Sequence, residues 1–171
     1  MDQLTNVDDI RTDLLEISAQ LAPFEMPLLD AHGATLASDI YAGERLVIRS
    51  GGRIRSTHIG LAASIGLDHL PTRPHPRVVV ISAGADLTEP GHAIDERHSY
   101  ESNSWLLTTA VREAEAIGYR VHTIPETAEV LKDVVEDQLV RADLIVICGE
   151  SHDESFELIH SVLVQLGNVR E

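Results

Sequence analysis

The chain has 171 residues, 43% of them hydrophobic, 24% charged and 4% aromatic, which excludes a disordered or collagen-like polymer and suffices for one compact α/β domain. Its 28 acids against 13 bases give a formal net charge of −15, a field that repels nucleic acid and anionic membranes. No apolar stretch approaches the roughly 20 residues of a bilayer span, and Met1-Asp2-Gln3 lacks the start of a secretory signal, so the expectation is a cytoplasmic protein without membrane insertion.

Residues 7–21 place Ile10, Leu14, Ile17 and Leu21 on one face of an amphipathic helix, with Asp8, Asp9 and Asp13 near its positive end. Pro23 and Pro27 break that pattern, and 28–40 reads as a short helix, a turn at Gly33 and a short extended piece. From 45 to 55 the alternation around Val47 and Ile48 predicts a hairpin turning at Gly51-Gly52. Arg45, Arg49, Arg53 and Arg55 make it basic, either as a solvated face or as a receiver for an anion or the acidic half of another copy. A helix opened by Ser56 turns Ile59, Ala62, Ala63 and Ile65 inward and closes at Gly66. Residues 1–70 thus form a small helical and extended satellite, and 71–76, with three prolines, reads as an extended linker.

Residues 77–171 carry a βαβα succession. Val78, Val79, Val80 and Ile81 suit a strand buried on both faces, and a helix over 102–117 would bury Leu106, Leu107, Ala110, Val111, Ala114 and Ile117. A strand over 120–124 follows, then a helix over 127–141 with Leu131, Val134, Val135 and Leu139 inward. A strand over 144–148 leads to a last helix with Ile159, Val162, Leu163 and Leu166 on one side. Three strand–helix units predict a three-layer α/β fold, an open and mostly parallel sheet covered on both faces. Charge divides unevenly: residues 1–84 hold 10 acids and 7 arginines, net −3, and 85–171 hold 18 acids and 6 bases, net −12.

Ligands of open parallel sheets bind beyond the carboxyl ends of the strands, where loop amides and helix N-termini converge. Loops 82–88, 125–127 and 149–155 qualify, and all carry acids: Asp86; Glu126; Glu150, Asp153 and Glu154, with Glu157 one turn later. Such acids would repel a bare phosphate unless a hard cation such as Mg²⁺ bridged them; the alternative is that an acidic chain has acids in every loop. The nine histidines form no H-E-x-x-H pair, G-x-S-x-G is absent, and the lone Cys148 excludes a disulfide framework. Cys148 reads as a small buried residue and Trp105 as packing that borders the ligand mouth.

Ile81-Ser82-Ala83-Gly84-Ala85-Asp86-Leu87-Thr88-Glu89-Pro90-Gly91 resembles the I-S-T-G-D-E-L-x-x-P-G signature of the molybdopterin molybdenumtransferases, the MoeA and gephyrin E-domain family. Tyr100-Glu101-Ser102-Asn103 is similar to its Y-D-S-N helix start, and Ala142-Asp143-Leu144-Ile145-Val146-Ile147-Cys148-Gly149 to its A-D-L-V-I-x-S-G strand. Upstream, residues 27–40 resemble its P-L-x-x-A-x-G-R-x-L-A-E-D-I opening. The resemblance implies a sheet of the MoaB/Mog-like molybdopterin-binding type, with molybdopterin or its adenylylated form as ligand and a homodimer or other protein as partner. Carried over position by position, it implies Ser82, Gly84, Ser102, Asn103, Gly149 and Ser151 as ligand-binding, and Asp86, Glu126 and Glu157 as catalytic acids that hold Mg²⁺ or molybdate.

Four departures stand out. The family carries a whole further domain where this chain runs directly from Ile40 to Gly51, and its C-terminal end has no counterpart in 77–171. Ala85 replaces the aspartate of T-G-D-E. The family's Gly-Gly-Val-Ser-x-Gly loop corresponds to Gly149-Glu150-Ser151-His152-Asp153-Glu154, so two of its three glycines are glutamates, which fill space and set carboxylates where an anion should sit. The expectation is a molybdopterin-binding-like protein related to molybdate insertion, with reduced or no turnover; the alternative is a non-catalytic, gephyrin-like interaction module.

Overall fold

The computed structural model describes residues 6–122, 124–149 and 153–169, and the chain divides into two compact units, Met1–Pro74 and His75–Glu171. In the first, helix α1 (Val7–Ile17) starts where the Asn6 carboxamide accepts the Asp8 amide at 2.9 Å. It ends four residues before the periodicity does, and none of its residues is buried, so Ile10, Leu14 and Ile17 form an uncovered stripe.

Strand β1 (Phe24–Pro27) occupies residues expected only to break the helix, and turns stacked on the Pro27 carbonyl replace the short helix expected after it. Strand β2 (Thr35–Leu36) follows, then β3 (Ile40–Ala42) and β4 (Arg45–Ile48). The hairpin is β3–β4, and it turns at Gly43, where φ is +61°, rather than at Gly51-Gly52. Those two glycines instead pin the chain to β2: the Gly51 amide donates to the Leu36 carbonyl at 2.9 Å, and the Leu36 amide to the Gly52 carbonyl at 3.0 Å.

Helix α2 (Ser56–Ser64) has Arg55 rather than Ser56 as its cap, and Ala63 faces solvent while Ala62 is buried. Strand β5 (His69–Arg73) takes up half of the expected linker. It is extended, as its prolines require, but lies between β1 and β2 in an antiparallel sheet, and the Pro71 carbonyl accepts the Ala37 amide at 2.8 Å. Leu36, Ile54 and Leu70 centre this unit's core.

In the second unit, β6 (Arg77–Ala83) is the middle strand, buried from Val78 to Ala83. A short parallel pair, β7 (Leu87–Thr88) and β8 (Ser99–Tyr100), leads to helix α3 (Asn103–Glu113) and strand β9 (Ile117–Arg120). Helix α4 (Ala128–Leu139), strand β10 (Leu144–Gly149) and helix α5 (Asp153–Leu166) complete it. The sheet is parallel, ordered β10-β6-β9. Alternate β6 side chains face opposite ways. Val79, Ile81 and Ala83 meet Leu131 and Val135 of α4 and Val162 of α5, and α3 packs along β6 and β9. Helices on both sides of one sheet make the three layers. No helix among the described residues is long and apolar enough to cross a membrane.

The inward face of α3 differs from the periodicity. Ser104 and Thr108 are buried, whereas Leu106, Ala110, Ala114 and Ile117 are exposed. The helix also ends at Glu113, so Ile117 opens a strand that begins three residues earlier than expected. The cause is close approach: a Cβ on Gly118 would lie 2.8 Å from the Thr108 carbonyl oxygen. Helix backbone rests on strand backbone, and only small side chains fit between. Gly118→Ala is therefore expected to cost about 1–3 kcal/mol in urea denaturation by forcing α3 off the sheet; an unchanged midpoint would contradict this contact. On α4, Leu139 is exposed rather than inward, one turn beyond the sheet contact made by Leu131 and Val135.

Candidate functional site

In the order β10-β6-β9 the chain leaves β6 toward one side, to β9, and later returns to the other side, to β10. The crevice beyond the carboxyl ends of β6 and β10 is therefore a topological switch point, where open α/β sheets bind ligands. Parallel register sets Ser82 beside Cys148 and Ala83 beside Gly149 at its floor. The Ser82 hydroxyl lies 3.4 Å from the Cys148 sulfur, and that thiol reaches the Ile81 carbonyl at 3.5 Å. Burial pushes the thiol pKa up, so Cys148 packs as a neutral thiol rather than serving as a thiolate nucleophile.

Two loops close over this floor. The Gly84 amide donates to the Pro125 carbonyl at 3.1 Å. The Ser99 amide donates to the Asp86 carbonyl at 2.8 Å, and the Glu101 amide to the Thr88 carbonyl at 2.9 Å. The signature loop thus folds back and delivers Glu101 to the start of α3.

Glu101 is 1% exposed. Its carboxylate accepts the Ser104 amide at 2.7 Å and the Ser104 hydroxyl at 2.5 Å, and so caps the helix from inside. Arg120, at the end of β9, donates its Nε to the Ser104 hydroxyl at 2.7 Å, and its Nη2 to Glu89 and, at 3.5 Å, to Glu101. Its guanidinium sits 4.4 Å from the centroid of the Trp105 ring, so Trp105 packs against a cation. Burial raises the Glu101 pKa, but Ser104, Ser82 and Arg120 more than reverse it and hold the carboxyl below the usual range.

Of the ligand-binding positions expected from sequence, Ser82 and Gly84 are buried at the crevice floor, Gly149 is half-buried at the tip of β10, and Ser102 and Asn103 are exposed at the start of α3. Ser102 makes no side-chain capping bond. Ser151, with Glu150 and His152, lies outside the described residues. Among the expected acids, Asp86 and Glu126 act on a common neighbour, His98, whereas Glu157 is exposed on α5. Among the described residues no group of three or more His, Cys, Asp or Glu side chains is placed to hold a metal ion. Sequence reasoning missed the roles of Glu89, Ser104 and Arg120; the available signal was an arginine ending a strand in the most acidic half of the chain.

The Asp95 carboxylate, 2.6 Å away, raises the His98 pKa, and the charges of Asp86 and Glu126 raise it further. The folded state therefore favours the imidazolium. This contribution is complete below the ordinary histidine value and is lost as pH rises through the folded one. An NMR titration of His98 should show a midpoint above about 6.5, lowered by Asp86→Asn and by Glu126→Gln; midpoints that ignore both changes would contradict the convergence of these acids.

No family model matches the chain. It is 35% identical over 121 residues to molybdopterin molybdenumtransferase 2 of Mycobacterium tuberculosis, covering 71% of this chain and 30% of that protein. Gephyrin of Dictyostelium discoideum is 29% identical over 146 residues, covering 78% of this chain and 20% of its own length. Among solved structures, a molybdopterin biosynthesis MoeA protein from Pyrococcus horikosii superposes with a TM-score of 0.75 at 16% identity, covering 98% of this chain and 68% of that one. The chain spans less than a third of the length of the curated relatives it matches. In sequence and in fold, it is a relative of the molybdopterin molybdenumtransferase (MoeA) and gephyrin proteins.

Proposed function

We propose that this chain is a molybdopterin-binding module related to molybdenum cofactor biosynthesis, which takes molybdopterin or its adenylylated form at the carboxyl ends of β6 and β10 and does not turn it over on its own. Ser82, Gly84, Ser102, Asn103, Gly149 and Ser151 would contact the ligand. Asp86, Glu126 and Glu157 would face its phosphate through Mg²⁺, or molybdate in the implied reaction. Mg²⁺ needs only one or two carboxylates besides waters and phosphate oxygens, which Asp86 and Glu126 would supply. When bound there, the ion would neutralise phosphate charge.

What supports an absence of turnover in this reading is the β3–β4 hairpin. Its turn at Gly43 joins Ala42 to Arg45 directly, closing the chain where the resembled family inserts a domain. In a calorimetric titration, adenylylated molybdopterin should bind in the presence of Mg²⁺, and mixing with molybdate should release no AMP. AMP release in a single turnover would overturn this reading, as would a failure to bind at millimolar ligand.

A second reading, a non-catalytic interaction module that self-associates, draws on α1, which leaves Ile10, Leu14 and Ile17 uncovered. Sedimentation of the full chain should then give a dimer that Leu14→Ser dissociates; a monomer at all concentrations would dismiss it.

A further inference from the structure

With 18 acids against 6 bases after residue 84, acid-free surface is not expected in the second unit. Yet two cavities of about 370 and 470 Å³ open at the outer strand β9, and neither is lined by an Asp or Glu. Tyr119, Arg120 and His122 border both; Arg112 lines the one against α3, and Arg77 and Arg141 the one against α4.

Arg120 is neutralised by Glu89 and Glu101, and Arg77 is paired with Asp143. The cations left to act are Arg112 and Arg141. Arg112 donates from Nη2 at 3.1 Å and from Nε at 3.4 Å to the Gly118 carbonyl, a neutral acceptor, and the exposed Arg141 side chain has no hydrogen bond or ion pair among the described residues.

The main chain between the cavities has no strand on its outer side among the described residues, and its buried Gly118 is capped there by Arg112. The Ile117 amide donates to the Pro76 carbonyl at 2.9 Å and the Val121 amide to the Val80 carbonyl at 3.0 Å, both toward β6. By the two-residue period of a strand, the main-chain groups of Gly118 and Arg120 face outward. Cavities on opposite faces of one edge match the alternation of an added strand, whose successive side chains enter one and then the other.

We propose that the β9 edge is a docking site for an extended acidic segment of a partner protein, which joins the sheet beside β9 and directs adjacent carboxylates to Arg112 on one face and Arg141 on the other. On docking, Arg112 exchanges the Gly118 carbonyl for a carboxylate, and that carbonyl accepts a peptide N–H instead. Both guanidinium N–H groups exchange a neutral carbonyl for a carboxylate, so a charge-assisted pair replaces two neutral-acceptor bonds. A small anion would fill only one cavity and leave the edge unpaired.

The test is fluorescence anisotropy on the full chain with a labelled, N-acetylated octapeptide of Val and adjacent Glu residues. Saturable binding is expected, weakened about tenfold by Arg112→Ala and by Arg141→Ala, and abolished when alternate peptide bonds of the probe are N-methylated, a change that leaves the protein untouched. The Gly118 and Arg120 amides should gain protection from hydrogen exchange in the complex. Equal binding of the N-methylated probe, or of a probe with Lys in place of Glu, would overturn the proposal. So would displacement by citrate or AMP at the concentrations at which the peptide itself competes, which would make the cavities small-anion sites.

Discussion

Replacing Arg120 by leucine should lower the free energy of unfolding by about 3–5 kcal/mol, the cost of stranding a buried charge by removing its partner. The Arg120 side chain is 8% exposed and that of Glu101 0%, so the Glu101 carboxylate, unlike the 25% exposed Glu89, cannot recruit bulk water without opening the fold. Against a typical total of about 5–15 kcal/mol, this is the largest single-residue effect outside the apolar cores. The partner variant separates charge from packing: Glu101→Gln in the Arg120→Leu background should recover most of the loss, because a neutral amide leaves no stranded charge and still accepts from Ser104. Equilibrium urea denaturation of the single and double variants measures both quantities. Additive losses would contradict the coupling. The same network predicts a pH dependence. Since the Glu101 pKa is depressed, its stabilisation is present above the ordinary glutamate value and is lost as pH falls through the folded one.

The second large effect is on binding. Glu150→Gly with Glu154→Gly should tighten the affinity for adenylylated molybdopterin by tenfold or more and reduce its dependence on Mg²⁺, since like charges brought together cost up to several kcal/mol and about 1.4 kcal/mol is a factor of ten. A phosphate approaching backbone amides between glycines meets donors, whereas the same phosphate between glutamates meets acceptors of its own sign. Titrations of both forms with and without Mg²⁺ read the effect, and an affinity that the double change leaves as it was would show that charge in this loop is not what limits binding.

Legibility from sequence followed the physics of each element. The apolar run at Val78–Ile81 and the helical spacing of Leu131, Val135 and Val162 identified β6, α4 and α5, because burial alone dictates those side chains. On α3 burial is not the rule: the backbone contact at Gly118 excludes large residues, so polar Ser104 and Thr108 are buried while Leu106 is exposed and Leu107 only half-buried. The three prolines of 71–76 indicated extended chain but not its place in a sheet, since pairing of β5 with β1 and β2 is set by residues more than thirty positions away. At the site, motif resemblance located the signature loop and the start of α3. The Glu89–Arg120–Glu101 network was not legible, because its members are brought together only by the return of the chain through β8 and β9.

The most direct measurement of the central claim is amide hydrogen exchange of the full chain with and without adenylylated molybdopterin and Mg²⁺. If the crevice between β6 and β10 receives the ligand, protection will rise at residues 82–88, 101–104 and 148–149, and only when Mg²⁺ is present. Protection confined to other segments, or equally strong protection in chelator, would contradict the account.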